Sequence, residues 1–239
     1  MTADTNDMVR KALSDALPII FGYIPMGAAY GILARQSGME LFPTILMSLI
    51  VFAGASQFIA VGLLAAGATG VEVVLATFFI NLRHTLMSAS LAPFFSSAPR
   101  SSIPFVAWGI TDETYAISIG GYAGGDVDYR YSLALHYTAY ASWVSGTLLG
   151  AGAGSIVPAV LQSSLEFALY SMFVGLLVLQ VSKRLHLVVA LISAALSVLF
   201  SFFMGGTWFV ISASIIGATV GLVLDGRPRA GEKSGRGEK

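Results

Sequence analysis

The stretch Thr77–Ser88, TFFINLRHTLMS, places an asparagine, an arginine and a histidine inside a long apolar run. Arg83 lies about 100° round the predicted helix from His84. A guanidinium in hydrocarbon costs roughly 2.5–3.5 kcal/mol on insertion scales, so it should not face lipid. We therefore expect the fold to offer Arg83 a carboxylate, backbone carbonyls or a water-filled cavity. The face beside it carries, at helical spacing, Thr77, Asn81, His84 and Ser88.

The composition predicts an all-α integral membrane protein. Of the 239 residues, 56% are hydrophobic and only 11% are charged, where a soluble domain carries about 25%. The mean hydropathy is +0.78. The chain has no cysteine, which excludes disulfides and thiolate chemistry. Its formal net charge of zero predicts no nucleic-acid partner, and we expect no metal, no cofactor and no enzymatic activity.

Apolar runs of about 20 residues predict eight transmembrane spans. Seven is the alternative if the second or the fourth span is re-entrant. They divide the chain into an N-terminal segment (1–15), a transmembrane domain (16–224) and a disordered tail (225–239). The predicted spans are 16–34, 41–66, 72–95, 103–120, 131–153, 165–182, 186–203 and 207–224.

The distribution of Lys and Arg predicts that both termini are cytoplasmic. Most of the 13 basic residues then fall on the inner side, and only Arg35 and Arg100 fall outside. Asp4, Asp7 and Asp15 argue against a cleavable signal, which needs a basic segment followed by a clean apolar run.

A weak internal similarity predicts a 3+3 inverted repeat followed by two helices. Leu63–Ala68 resembles Leu148–Ala153 at an offset of 85 residues, and chance recurrence of small residues is the alternative. Within two residues of this offset, Pro25–Gly27 in span one aligns with Asp112–Thr114 in span four. Paired broken helices of this kind point to a substrate site. A plain proline kink at a packing contact is the other interpretation of span one.

Asp112 and Glu113 are adjacent carboxylates within an apolar span. One of them pairing with Arg83 would leave the other free to exchange protons. The alternative is that span four ends before Thr111, which would leave both carboxylates in a wet loop. His84 is either a proton relay or a hydrogen-bonded interior histidine. The predicted coupling and ion-pair residues are thus Arg83, His84, Asp112 and Glu113.

Four motifs resemble the AzlC (YgaZ) family, and they occur in the expected order between about residues 15 and 225. They are Gly22–Gly27, Phe52–Phe58, Asn81–His84 with Ser90–Pro93, and Thr111–Glu113. The resemblance implies the large subunit of a bacterial branched-chain amino acid exporter in the cytoplasmic membrane. It also implies a small membrane partner of the AzlD type and export of Leu, Ile, Val or analogues, driven by an ion gradient such as that of protons. A pocket that tolerates one extra methylene would also accept Met.

For such a substrate, backbone N–H groups freed near Pro25–Gly27 would hold the carboxylate, and a span-four carboxylate would hold the ammonium. Ser56 and Gln57 would bind the substrate or backbone, or else link helices. The predicted substrate-binding residues are Pro25, Met26, Gly27, Ser56, Gln57, Phe58, Phe78 and Asn81. Small-residue faces on spans five and eight, including Gly146–Gly150 and Ala213–Gly217, are expected to bind the partner.

Two other classes of function compete. A passive channel needs a continuous polar lining, whereas this sequence has one compact polar cluster. An intramembrane serine hydrolase could use Ser56 with His84 or His136. Ser56 lacks the Gly-x-Ser-x-Gly setting of such nucleophiles, and no third orienting group is evident.

Overall fold

The computed structural model describes residues 5–125, 127–154, 184–204 and 208–225, with residues 174, 178 and 181. The chain divides into two units, Met1–Ser171 and Met172–Lys239, which we describe separately. The predicted sixth span (165–182) lies almost entirely outside the described residues, as does nearly all of the predicted tail.

Every regular element among the described residues is a helix. The first unit contains α1 (Thr5–Gln36), α2 (Leu41–Ile50), α3 (Gly54–Ala65), α4 (Gly70–Leu91), a 3₁₀ turn (Ala92–Phe95), α5 (Ile103–Trp108), α6 (Asp112–Ala123) and α7 (Tyr129–Ala153). The second contains α8 (Arg184–Ser201) and α9 (Trp208–Asp225). By length and composition α1 and α8 are candidate membrane spans, while α2 and α3 are shorter apolar helices.

The first unit is built on close packing of α1 against α7. Gly27 and Gly31 of α1 face the backbone of α7, and Gly146 and Gly150 of α7 face the backbone of α1. A Cβ atom at Gly150 would overlap the carbonyl oxygen of Ala28. Small residues four apart therefore let the two backbones touch, as is common between membrane helices.

The predicted break at Pro25–Gly27 is wrong, because α1 is continuous from Thr5 to Gln36. Pro25 is exposed and removes one hydrogen bond from the ladder, which a neighbouring helix can compensate in a membrane. Gly27 lies in the α1–α7 contact. Because Gly27 has no side chain, the two helices can approach closely. The alternative interpretation of span one, a proline at a helix packing contact, therefore describes it better than a break.

The predicted second span is interrupted between α2 and α3. Phe52 adopts φ 42°, a left-handed conformation that is uncommon for a residue with a side chain. Gly54, the first residue of α3, lies against the ring of Trp143, where a Cβ would come within 2.7 Å of Cη2. The interruption therefore coincides with the Gly-Ala-Ser-Gln motif that the sequence singled out.

The predicted fourth span is interrupted between α5 and α6, as expected. At Gly109 a Cβ would overlap the side chain of His136, so the chain can turn there only with glycine. Thr111 then caps α6: its hydroxyl accepts from the Thr114 N–H at 3.2 Å, and its own N–H donates to the Thr114 hydroxyl at 2.8 Å. Asp112 and Glu113 thus occupy the first turn of a helix that starts at this break.

In the second unit α8 and α9 pack on each other through small residues. A Cβ at Gly217 would overlap the Ser193 hydroxyl, and one at Gly221 would meet Val189 at 3.1 Å. The expectation that this face binds a partner is therefore wrong, as it is for Gly146 and Gly150. Both faces pack against another helix of this chain. Close helix packing needs small residues whether the second helix belongs to the same chain or to a partner, so the small residues alone did not identify a partner surface.

Large apolar side chains cover the outward faces of several helices. Phe21 on α1 is 76% exposed, and Leu86 on α4 is 74% exposed. Water would disfavour so much apolar surface, whereas hydrocarbon accepts it. This distribution supports the prediction of an all-α integral membrane protein.

Candidate functional site

An ion pair joins α4 to the first turn of α6. The Nη1 of Arg83 lies 2.9 Å from Oδ2 of Asp112, and their side chains are 27% and 21% exposed. This contact is the one predicted from the cost of a guanidinium in an apolar span. The positive end of the α6 dipole also favours carboxylates at this position.

Tyr23 of α1 holds the second carboxylate. Its hydroxyl donates to Oε2 of Glu113 at 2.6 Å and lies 2.7 Å from the Thr111 hydroxyl. Tyr23 is buried, so the hydroxyl acts where bulk water is scarce. The two adjacent carboxylates therefore have different partners, a cation for Asp112 and a phenol for Glu113.

Polar side chains at the start of α3 contact α4 and α7. The Ser56 hydroxyl donates to Oδ1 of Asn81 at 2.8 Å, which ties α3 to α4. Gln57 is fully buried. Its Nε2 donates to Ser48 at 2.8 Å, and its Oε1 accepts from the indole of Trp143 at 3.0 Å. This geometry favours the alternative in which Gln57 links helices.

Aromatic rings connect the two interruptions. The ring of Phe52 lies 5.6 Å from that of Trp108 at the end of α5 and 6.3 Å from that of Tyr23. It also makes an edge contact with Tyr140 of α7 at 5.2 Å. Phe52 therefore keeps a strained backbone conformation while its ring is fully packed, a combination that recurs at functional sites.

His84 and His136 have different surroundings. His136 is completely buried, with Nδ1 2.9 Å from the Val106 carbonyl and Nε2 3.3 Å from the Ser118 hydroxyl. It therefore donates to the end of α5 and supports the break. His84 is half-buried and follows Arg83 on α4, which keeps it among the candidate site residues.

The structure gathers only some of the predicted residues. Arg83, Asp112 and Glu113 meet at the start of α6, and Ser56 contacts Asn81. Phe78 does not join them, because its ring is 57% exposed and contacts Phe79. The remaining predicted residues have other positions: Pro25 is exposed, Met26 is half-buried, Gly27 faces α7, and Phe58 packs against Tyr30 and Trp143.

Tyr23 was not among the residues predicted from the sequence, and His136 was considered only as a possible base of a hydrolase. Tyr23, Gly27 and Tyr30 are spaced to share one face of α1, and all three are buried. That spacing was available in the sequence and could have identified Tyr23. His136 gave no comparable signal, since only the tertiary structure brings it to the end of α5.

The fold and the site define an all-α integral membrane protein in which two interrupted helices meet around buried polar groups. The sequence profile described as AzlC protein matches residues 18–157, more than half of the chain. The chain belongs to the AzlC family.

Relatives are similar over most of their length. An uncharacterized membrane protein of Archaeoglobus fulgidus is 32% identical, covering 88% of this chain and 92% of its own. Inner membrane protein YgaZ of Escherichia coli is 29% identical, covering 88% and 86%. The branched-chain amino acid transport protein AzlC of Bacillus subtilis is 26% identical, covering 86% and 81%. No solved structure matches the chain significantly.

Proposed function

We propose that this chain is a secondary transporter that exports branched-chain amino acids across the bacterial cytoplasmic membrane. The observation that carries the proposal is the Arg83–Asp112 ion pair, set beside two helix interruptions in a chain of the AzlC family. The name of the Bacillus subtilis relative supports the substrate class. A charged pair at such interruptions is typical of transporter substrate sites.

The chemistry of the site suits a zwitterion with an apolar side chain. Asp112 and Glu113 supply negative charge for an ammonium group, and the ring of Phe52, which contacts that of Tyr23, supplies apolar contact. Ser56 and Asn81 offer polar contacts at the start of α3. One methylene changes binding by only roughly 1–3 kcal/mol, so Leu, Ile, Val and Met should all be accepted.

Export is coupled to protons in this proposal. Asp112 is neutralised by Arg83, while Glu113 is bonded to a phenol that carries no charge. Glu113 is therefore the carboxylate that can bind and release a proton without breaking an ion pair. His84 follows Arg83 on α4 and is half-buried, and we assign it the role of a relay.

The proposal includes a small AzlD-type membrane subunit, with both termini of this chain in the cytoplasm. The faces once expected to bind that subunit are used internally, so its contact surface must lie elsewhere. Exposed apolar faces, such as that of α4 around Leu86, offer area for a second membrane helix.

The test is transport in proteoliposomes loaded with radiolabelled leucine. We expect saturable leucine efflux that requires the small subunit and accelerates under an imposed pH gradient. Isoleucine and valine should compete, and lysine should not.

Other outcomes would point to other functions. Efflux that is unsaturable and independent of the partner indicates a channel. Saturable efflux that does not change with the pH gradient contradicts proton coupling but agrees with a transporter. Absence of leucine flux in the complete complex contradicts the proposed function.

A further inference from the structure

The guanidinium of Arg83 is paired through Nη1, while Nε, on its other edge, has no protein partner among the described residues. Nη1 contacts Asp112 at 2.9 Å. Nε is buried, and within the part of the chain that the structure describes it has no hydrogen-bond partner. A buried donor attached to a charged group is costly to leave unsatisfied, so a native role for this edge is expected.

The geometry of arginine indicates what would satisfy it. The guanidinium is planar, and its Nε–H and Nη2–H bonds point the same way along the edge that Nη1 does not share. Two parallel donors at this spacing match the two oxygens of a carboxylate. We propose that this edge of Arg83 binds the carboxylate of the transported solute, an inference that rests on the proposed function.

Charge balance favours a zwitterion over a simple anion. The site holds one arginine and two carboxylates, Asp112 paired with Arg83 and Glu113 bonded to Tyr23. Phosphate or sulfate would add negative charge to a site that already holds more acid than base. An amino acid adds none, because its ammonium group can lie against the carboxylates while its carboxylate lies on Arg83.

This assignment replaces the carboxylate site first expected near Pro25–Gly27. That site required free backbone N–H groups at a helix start, and the continuous α1 has none there. Arg83 lies on α4 and approaches the start of α6, where a real helix break exists. The substrate carboxylate would then share one guanidinium with Asp112.

The test compares ligands on the full chain in lipid nanodiscs, by ligand-induced thermal shift. The probes are leucine, leucinamide, which lacks the carboxylate, and 4-methylpentanoate, which lacks the ammonium. We expect leucine to bind about 10- to 100-fold more tightly than leucinamide, the range for hydrogen bonds to charged groups. Arg83→Lys keeps the charge but loses the two-donor edge, so the preference for leucine should disappear.

Arg35→Lys is the matched control, since Arg35 donates to the Met39 carbonyl at the end of α1 and has no part in the site. It should retain the preference for leucine. An Arg83→Lys protein that still prefers leucine over leucinamide by the wild-type ratio overturns the inference, even where leucine transport is intact.

Failure of the proposed function gives a different pattern. If the wild-type chain does not bind leucine but binds 4-methylpentanoate through Arg83, the result supports the carboxylate site on Arg83 and contradicts an amino acid as the substrate. If no carboxylate binds, the inference is overturned.

A wild-type measurement covers the case in which Arg83→Lys does not fold. Leucine should slow the modification of Arg83 by phenylglyoxal, as detected by mass spectrometry, and leucinamide should not. Equal modification with and without leucine contradicts the proposal.

Discussion

Single residues decide how two adjacent carboxylates differ. Asp112 and Glu113 follow each other in the first turn of α6, so their side chains leave the helix in different directions. Asp112 reaches Arg83 on α4, and Glu113 reaches Tyr23 on α1. The first turn of α6 therefore contacts both α4 and α1. A substitution can remove either contact without the other.

Arg83→Ala should destabilise the protein by about 3 kcal/mol. Removing one partner of a buried pair typically costs roughly 3–5 kcal/mol, and partial exposure of both side chains places this pair near the lower end. Unfolding in mixed micelles measures the effect. The double variant Arg83→Ala with Asp112→Ala should recover part of the loss, because no charge is then left unpaired. Additive losses would show that the two side chains do not stabilise each other.

Tyr23→Phe should weaken the site without creating a cavity. The ring and its contacts with Phe52 and Trp143 are kept, but the 2.6 Å hydrogen bond to Glu113 is lost. We expect a stability loss of about 1–3 kcal/mol and slower gradient-driven efflux. The control, Tyr137→Phe, removes a phenol hydroxyl from an exposed ring. It should change neither the stability nor the rate of efflux. Equal behaviour of the two variants would contradict a special role for Tyr23.

At the scale of elements, α7 lies against both helix interruptions, and proline does not mark them. Pro18 and Pro25 lie inside α1, which is continuous along its whole length. The breaks occur where a bulky group lies against a glycine, Trp143 against Gly54 and His136 against Gly109. Both groups belong to α7, which therefore shapes both interruptions.

Gly150→Ala and Gly152→Ala form a matched pair on α7. A Cβ at Gly150 would overlap the Ala28 carbonyl, whereas at Gly152 nothing lies within 4 Å. Gly150→Ala should therefore separate the helices and cost at least about 2 kcal/mol. Gly152→Ala should leave stability unchanged or raise it by up to about 1 kcal/mol, since alanine favours helix. Thermal unfolding of both purified variants measures the difference, and similar midpoints would argue against the close α1–α7 contact.

At the scale of the whole molecule, coupling should depend on Glu113 more than on Asp112. Glu113→Gln should abolish pH-driven leucine efflux and spare leucine counterflow, because exchange moves no net proton. Asp112→Asn should instead lower expression or stability, since it leaves Arg83 without its anion. Driven efflux and counterflow are measured for each variant. Normal driven efflux in both would remove this pair of carboxylates from the coupling mechanism.

The orientation of the chain can be tested because its sequence has no cysteine. A single introduced thiol is then the only target for an impermeant maleimide. With both termini cytoplasmic, Ser37→Cys between α1 and α2 should be labelled in intact cells. Ser234→Cys should be labelled only in inside-out vesicles. The reverse pattern would contradict the orientation derived from Lys and Arg.

Much of the fold was predictable, because hydrocarbon imposes strict rules on a sequence. Helical class, the interruption near Thr111, and an acidic partner for Arg83 follow from local composition and from the cost of an unpaired charge. The partner faces on spans five and eight and the break in span one were wrong. In each case the small residues that prompted them serve close packing within the chain.

The sequence by itself determined that this protein is helical, that it lies in a membrane, and that an arginine within an apolar span needs a polar or charged partner. These properties depend on side-chain solvation, which is local. The tertiary structure alone decided that Asp112 pairs with Arg83, that Tyr23 holds Glu113, and that His136 supports the break before α6. These contacts join residues from 23 to 136 in the chain, and their geometry depends on how closely the glycines let the helices approach.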